Sequence, residues 1–354
     1  MSELNVELLK RLCEAPGVSG REDRVRELIE KEVKDLFDEV RSDAMGNLLC
    51  VRRSTKKGKK DPTRVMLACH MDEIGFYVRH VCEKGMLWLK AAGGFDTRNL
   101  FSRRVTISTE EGDIPGVMNP GGKPVHIASP EDRRKVPEVA EFFVDTGMTA
   151  KQAKKQVRIG DMITLHEPFV ELGETLVSKA MDNRIACWLG IESVRQLAAA
   201  TKKSGHACEV HCVFTVQEEV GLRGAITSSY AVKPDIGIGV DVTLCCDGPG
   251  VPEADRTTVQ GAGVAITIMD GSSISDAGLV RDFEKVAEKR RIPHQRSILQ
   301  AGGTDAAAIQ KAAEGSRAIT ISVPTRYIHT VTEMVHRKDL AAARDLLAGY
   351  LESV

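Results

Sequence analysis

Val213-Phe214-Thr215-Val216-Gln217-Glu218-Glu219-Val220-Gly221 begins as an apolar strand and runs out on two adjacent carboxylates before a glycine. Gly221-Leu222-Arg223-Gly224 then turns into a helix from Ala225. A strand that ends on polar side chains and turns into a helix belongs to an α/β sheet, where ligands collect outside the carboxyl ends of the strands. The neighbouring segments repeat the pattern. Residues 64–69 read as a strand closed by His70, residues 236–242 as one closed by Asp241, and residues 318–323 as one followed after a short loop by His329. Asp182 opens an amphipathic helix over residues 184–200. With further strands expected at 209–216 and 263–269, the alternation predicts an α/β fold with a mixed sheet flanked by helices.

Outward from this core, Leu8, Leu9 and Leu12, then Val25, Leu28, Ile29 and Val33, fit two helices broken at Pro16-Gly17-Val18-Ser19-Gly20, with Ser19 capping the second. Residues 47–51 and 64–69 read as strands joined by the basic loop 52–60, a solvated hairpin turn. From residue 74 the texture changes to short strands punctuated by Gly and Pro, at 75–81, 86–90, 104–108, 114–118 and 162–165, which suits a small β-barrel. His70-Met71-Asp72 before this block and Lys179-Ala180-Met181-Asp182 after it both carry candidate site residues. The block therefore reads as an insertion, residues 74–168, into a catalytic domain made of residues 1–73 and 169–354. A chain of 354 residues is long enough for two such lobes.

A formal net charge of −1 gives no field that would draw nucleic acid or an acidic membrane. No run approaches the roughly 18 apolar residues of a membrane span, and Met1-Ser2-Glu3-Leu4 lacks the basic start of a secretion signal. These features predict a cytoplasmic protein with neither membrane nor nucleic acid as partner. Nine cysteines without a CxxC pair read as reduced, mostly buried thiols.

His70, Asp182, Glu218, Glu219, Asp241 and His329 supply imidazoles and carboxylates without a thiolate. That set suits two divalent ions, zinc or cobalt, with manganese as a further candidate. Taken singly, a histidine near a strand end satisfies a hydrogen bond and an acidic pair faces water. Together, at the ends of predicted elements, they make a metallohydrolase site. A workable assignment bridges the ions with Asp182, puts His70 and Asp241 on one and Glu219 and His329 on the other, and leaves Glu218 as general base. Asp72 is placed to accept the proton of the second ring nitrogen of His70 and fix its tautomer. Ala301-Gly302-Gly303-Thr304-Asp305 reads as a tight turn with Thr304 or Asp305 capping a helix. Arg223 is a weak candidate for substrate contact, His206 and His211 read as structural, and His126 could reach a site only from a neighbouring subunit. Adjacent Glu218 and Glu219 cannot readily flank a glycosidic bond from opposite sides, which argues against a glycosidase.

The motifs Ala68-Cys69-His70-Met71-Asp72-Glu73-Ile74-Gly75, Lys179-Ala180-Met181-Asp182-Asn183-Arg184, Gln217-Glu218-Glu219-Val220-Gly221-Leu222-Arg223-Gly224-Ala225, Asp241-Val242-Thr243, Gly302-Gly303-Thr304-Asp305 and Arg326-Tyr327-Ile328-His329-Thr330 stand in this order. So ordered, the chain resembles, nearly end to end, the glutamyl aminopeptidase and tetrahedral (TET) aminopeptidase family of dinuclear metallopeptidases, some of whose members were once labelled cellulases. The resemblance implies that His70, Asp182, Glu219, Asp241 and His329 bind the metals, that Glu218 is the general base and that Asp72 supports His70. It also implies that the insert is a dimerisation domain, that dimers form a tetrahedral dodecamer, and that short peptides are trimmed from the N-terminus. Departures at Cys245-Cys246, Gly261-Ala262-Gly263-Val264 and Thr330 remove no ligand. The alternatives are a deacylase or carboxypeptidase on the same scaffold, with Arg223 or Arg326 holding a substrate carboxylate, and a non-catalytic assembly protein, which loss of a ligand would favour.

Overall fold

Apolar spacing builds two helices at the start of the computed structural model, which describes residues 3–56 and 61–354. These are α1 (Val6–Glu14) and α2 (Asp23–Val33), whose Leu8, Leu9, Leu12, Val25 and Ile29 are fully buried. Strands β1 (Glu39–Ser42), β2 (Leu48–Arg52) and β3 (Arg64–His70) follow. Then come β4 (Gly75–Val81), β5 (Leu87–Ala92), β6 (Arg103–Thr109), β7 (Gly112–Pro120), β8 (Phe142–Asp145), helix α3 (Ala150–Gln156) and β9 (Met162–Leu165). These six strands close a barrel in the order β4-β5-β8-β7-β6-β9. The remainder is β10 (Val170–Leu172), β11 (Thr175–Ser178), α4 (Met181–Ala200), β12 (Glu209–Thr215), α5 (Arg223–Val232), β13 (Ile236–Leu244), β14 (Val264–Met269), α6 (Ala277–Arg290), β15 (His294–Ile298), α7 (Asp305–Lys311), β16 (Arg317–Arg326), β17 (Glu333–His336) and α8 (Arg337–Ser353).

The main sheet has the order β1-β2-β12-β3-β13-β16-β17-β11-β10, with β14 antiparallel to part of β16 and β15 parallel beyond β14. Strands β12, β3, β13 and β16 run parallel, and β3, β13 and β16 are buried along almost their whole length, as strands covered on both faces must be. Their carboxyl ends therefore open on a single side of the sheet.

Several local expectations are overturned by long-range packing. The basic loop after β2 is no hairpin turn, because β12 pairs antiparallel with β2 and parallel with β3 and separates them. Residues 57–60 of that loop lie outside the described residues. Ser19 does not cap α2. Glu22 holds the cap position without a side-chain bond, and the Ser19 hydroxyl donates to Asp72 Oδ2 at 2.6 Å. Helix α4 is not amphipathic: Ile185, Trp188, Leu189, Ile191 and Val194 are all fully buried, because it lies between the sheet and the helices α1 and α8. Strand β13 continues to Leu244, so Asp241 sits inside a strand and not at its end.

Where the chain leaves β3 for the barrel, Glu73 is held in a buried ion pair with Lys179, which follows β11. Lys179 Nζ donates to both oxygens of Glu73 at 2.8 Å. Arg184, fully buried, reaches Glu73 at 3.2 Å and also donates to the carbonyls of Leu12, Ala15, Gly17 and Met71. One side chain thus ties α1, the turn after it and β3 together. Replacing it with methionine takes this buried donor from the carbonyls of Leu12, Ala15 and Met71, while Gly17 keeps the Glu73 N–H and Glu73 keeps Lys179, and we expect a loss of about 3 kcal/mol or more in denaturant unfolding. A loss under about 1 kcal/mol would refute this role for Arg184.

The barrel core, built from residues such as Phe76, Leu87, Ile107, Phe142 and Ile163, also takes in Val331, which comes from the loop between β16 and β17. Ile328 in the same loop packs against the core of the main sheet. All nine cysteines are free thiols, most of them buried. Among the described residues no helix is long and apolar enough to cross a membrane.

Candidate metal centre

His70 is the last residue of β3, in register with Thr215 at the end of β12. Glu218 and Glu219 follow β12 in a turn, Asp182 lies where α4 begins and is itself non-helical, and His329 stands three residues beyond β16. These elements bring all six candidates together. His70 Nε2 lies 3.3 Å from Asp182 Oδ1, 3.9 Å from Glu218 Oε2 and 4.0 Å from Asp241 Oδ1. On the other side, His329 Nε2 lies 3.4 Å from Asp182 Oδ2 and 3.3 Å from Glu219 Oε2. The two oxygens of Asp182 thus face different imidazoles.

Three donor sets result, His70, Asp182 and Asp241 in one, Asp182, Glu219 and His329 in another, and His70, Glu218 and Glu219 in a third, with the ligand atoms of each set within 4.8 Å of one another. The first two share Asp182. Four carboxylates converge here almost out of contact with water, an arrangement whose repulsion and desolvation divalent cations relieve. Imidazole nitrogens and carboxylate oxygens without thiolate are the donors such cations take. The residues therefore fit a metal centre.

The protonation pattern has the same cause. Burial pushes the carboxyls of Glu218 and Asp241 well above their ordinary values, helped by neighbouring carboxylates against the pull of His70. Against burial, which acts the other way, Asp182 and Glu219 raise the His329 imidazole to about 11. His70 is likewise raised against its burial, through Glu218, Asp182 and Asp72. Asp182, despite burial, is held well below the carboxylate range by the two imidazoles.

Around the ligands stands a ring of supporting groups. Asp72 is fully buried and faces His70 Nδ1, 3.3 Å from its Oδ1 and 3.2 Å from its carbonyl oxygen. The same carboxylate accepts from the backbone N–H groups of Glu218 at 3.0 Å and Glu219 at 3.1 Å, so it orients three site residues at once. Burial opposes its ionisation, yet the His70 ring and these donors keep its carboxyl below the usual value.

Sequence reasoning missed two other supports. Glu333 accepts from the backbone N–H groups of Asp182 at 2.9 Å and His329 at 2.7 Å. Asn183 donates to Asp241 Oδ1 at 2.9 Å. The only local signal for Glu333 was an acidic residue four positions after His329, framed by Val331 and Val335.

The other candidates lie elsewhere. Arg326 is held by Asp247 through bonds of 2.6 and 2.7 Å, and exposed Arg223 donates to Gln217 Oε1 at 3.2 Å. Neither lines the cavity beside the centre. His206 bonds Thr55, His211 bonds Glu209, and His126 is exposed on the insert. Thr304, not Asp305, caps α7, while Asp305 is buried against Thr215. The centre opens into a cavity of about 530 Å³ whose remaining wall is largely apolar. A larger hollow of about 750 Å³ on the barrel, around Arg104, Asp113 and His166, holds none of these groups.

Known proteins share this architecture. The lysyl aminopeptidase of Pyrococcus furiosus is 32% identical over 359 residues, covering 98% of this chain and 97% of its own. The solved structure of an aminopeptidase from the archaeon Desulfurococcus kamchatkensis superposes with a TM-score of 0.91 at 36% identity, covering 99% of this chain and 94% of the other. The TET1 peptidase of Pyrococcus horikoshii, which can assemble into a tetrahedron or a large octahedral shell, superposes at 0.86 with 30% identity and 99% of each chain covered. The profile of the M42 glutamyl aminopeptidases matches residues 46–346, and the chain belongs to that family.

Proposed function

We propose that the chain is a metal-dependent aminopeptidase that removes N-terminal residues from short peptides, with His70, Asp182 and Asp241 holding one divalent cation and Asp182, Glu219 and His329 a second. The observation that carries this reading is Asp182, whose two oxygens face the two histidines. Zinc or cobalt suits the donors best, and manganese is also accommodated. When bound, such a pair polarises the scissile carbonyl and lowers the pKa of water toward about 7. Glu218 then takes the proton of the attacking water and hands it to the leaving amine, a task suited to a carboxyl whose pKa burial has raised. Asp72 holds His70, Glu218 and Glu219 in place for this.

The barrel serves as a dimerisation domain in this reading, and dimers build a dodecamer. The known assemblies of the P. horikoshii TET1 peptidase support this, as do exposed Val125, Ile127 and Val136 on the barrel's long loop between β7 and β8.

Chelator-stripped protein should regain hydrolysis of aminoacyl p-nitroanilides on addition of zinc, cobalt or manganese, and should leave N-acetylated analogues intact. No release under any metal, from folded protein that still binds cations, would sink the reading. Cation binding should also depend on pH. With His329 raised to about 11 and His70 raised as well, both rings are protonated near neutrality in the cation-free protein, so a cation must displace protons. Binding is expected to release protons and to tighten from roughly pH 6 to pH 9. Titration calorimetry in buffers of different ionisation enthalpy reads this directly, and a heat independent of buffer would show that no net proton leaves and would refute the proton release expected here. For the cation-free fold the sign is opposite. The stabilisation from His329 is complete below about 6.5 and is lost as pH climbs toward 11.

A further inference from the structure

We infer that the cavity beside the centre selects an uncharged, branched apolar residue at the substrate N-terminus, leucine foremost, and disfavours glutamate and lysine. This rests on the aminopeptidase reading above. The walls away from the ligands carry the apolar side chains of Leu222, Val242, Leu244, Leu299, Ala301 and Ile328, with Thr243, Ser272, Thr304 and two glycines among them. Leu244 is 42% exposed, and Leu222, Leu299 and Ile328 are half-buried, so apolar surface faces the cavity instead of being consumed by the core. A branched apolar side chain seated there takes both surfaces out of water. The volume of about 530 Å³ has room for that side chain and for part of the following peptide.

Charge excludes the alternatives. Among the described residues no lysine or arginine lines the cavity. Arg326 is clamped by Asp247, Arg223 is exposed and bonded to Gln217, and Lys311 donates to the Ser272 carbonyl at 3.2 Å from an adjoining hollow. A substrate γ-carboxylate seated against the apolar walls would therefore lose its hydration with no lysine or arginine among the described residues of the lining to receive it. A lysine ammonium would find no carboxylate outside the centre on the far wall.

The test uses cation-loaded full-length protein and aminoacyl p-nitroanilides. Expected kcat/KM for leucine exceeds that for alanine by at least about 10-fold, and those for glutamate and lysine by at least about 100-fold. Leu244→Arg supplies the missing cation and should gain at least about 10-fold on glutamate while losing on leucine, with unchanged cation content. Leu299→Lys, from a different loop, makes the same comparison if the first variant folds poorly. Independently of turnover, free L-leucine should raise Tm more than L-glutamate at equal concentration. A wild-type preference for glutamate or lysine, or failure of both variants to gain on glutamate, overturns the inference and leaves the aminopeptidase reading standing. Absence of hydrolysis with every free-amine substrate overturns both.

Discussion

Glu218→Gln is expected to lower kcat by about 10² to 10⁴-fold, the range over which a positioned general base acts, while cation content stays at the wild-type level. The substitution keeps the size of the side chain and removes only its capacity to take a proton. Glu218 Oε2 is 3.9 Å from His70 Nε2 and belongs to a third donor set with His70 and Glu219, but in the proposed assignment the cations occupy the two sets that share Asp182 and should not depend on it. Elemental analysis of the purified variant alongside steady-state kinetics separates the two roles. Lost turnover together with lost cation would make Glu218 a ligand. Activity within about tenfold of wild type would leave the proton transfer to another group, and Glu219 would be the first to examine.

Asp182→Ala should have the opposite signature. Because both proposed cation sites use this one carboxylate, its removal is expected to weaken both by more than about 100-fold, beyond the 10 to 100-fold typical of groups that only support a ligand, and to abolish turnover. Asp241→Ala should weaken one site and leave the other near its wild-type affinity. Competition against a fluorescent chelator gives both stoichiometry and affinity. Retention of one tight site in Asp182→Ala would show that the carboxylate is not shared and would dismantle the bridging assignment.

The parts of this site that could be read in the sequence are those that depend on periodicity. Apolar runs ending at His70 and before Glu218-Glu219 locate strand ends, and the change to short punctuated strands after residue 74 locates a barrel, because local pattern determines both. Pairing between distant segments leaves no such mark. The strand that separates β2 from β3 comes from the second half of the chain, so a hairpin was the natural local reading of the loop between them. Ser19 has the chemistry of a cap, yet the buried Asp72 carboxylate claims its hydroxyl. Residues 184–200 show polar positions that suggest a solvent face, but Ser193 is fully buried and Glu192 is paired with Arg195. Glu333 looked like any surface acid, and only the fold shows it gripping the backbone of two candidate ligands.

His329 is the last of the candidate ligands in the chain, and the loop that carries it is fastened on both sides, by Ile328 to the sheet and by Val331 to the barrel. The ligand set consequently cannot be complete in a half-made molecule. A nascent chain with its sheet formed and its barrel open, or the reverse, leaves this imidazole unplaced. For a peptidase this works as a safety catch, since hydrolytic capacity then waits on both cores and not on the sheet alone.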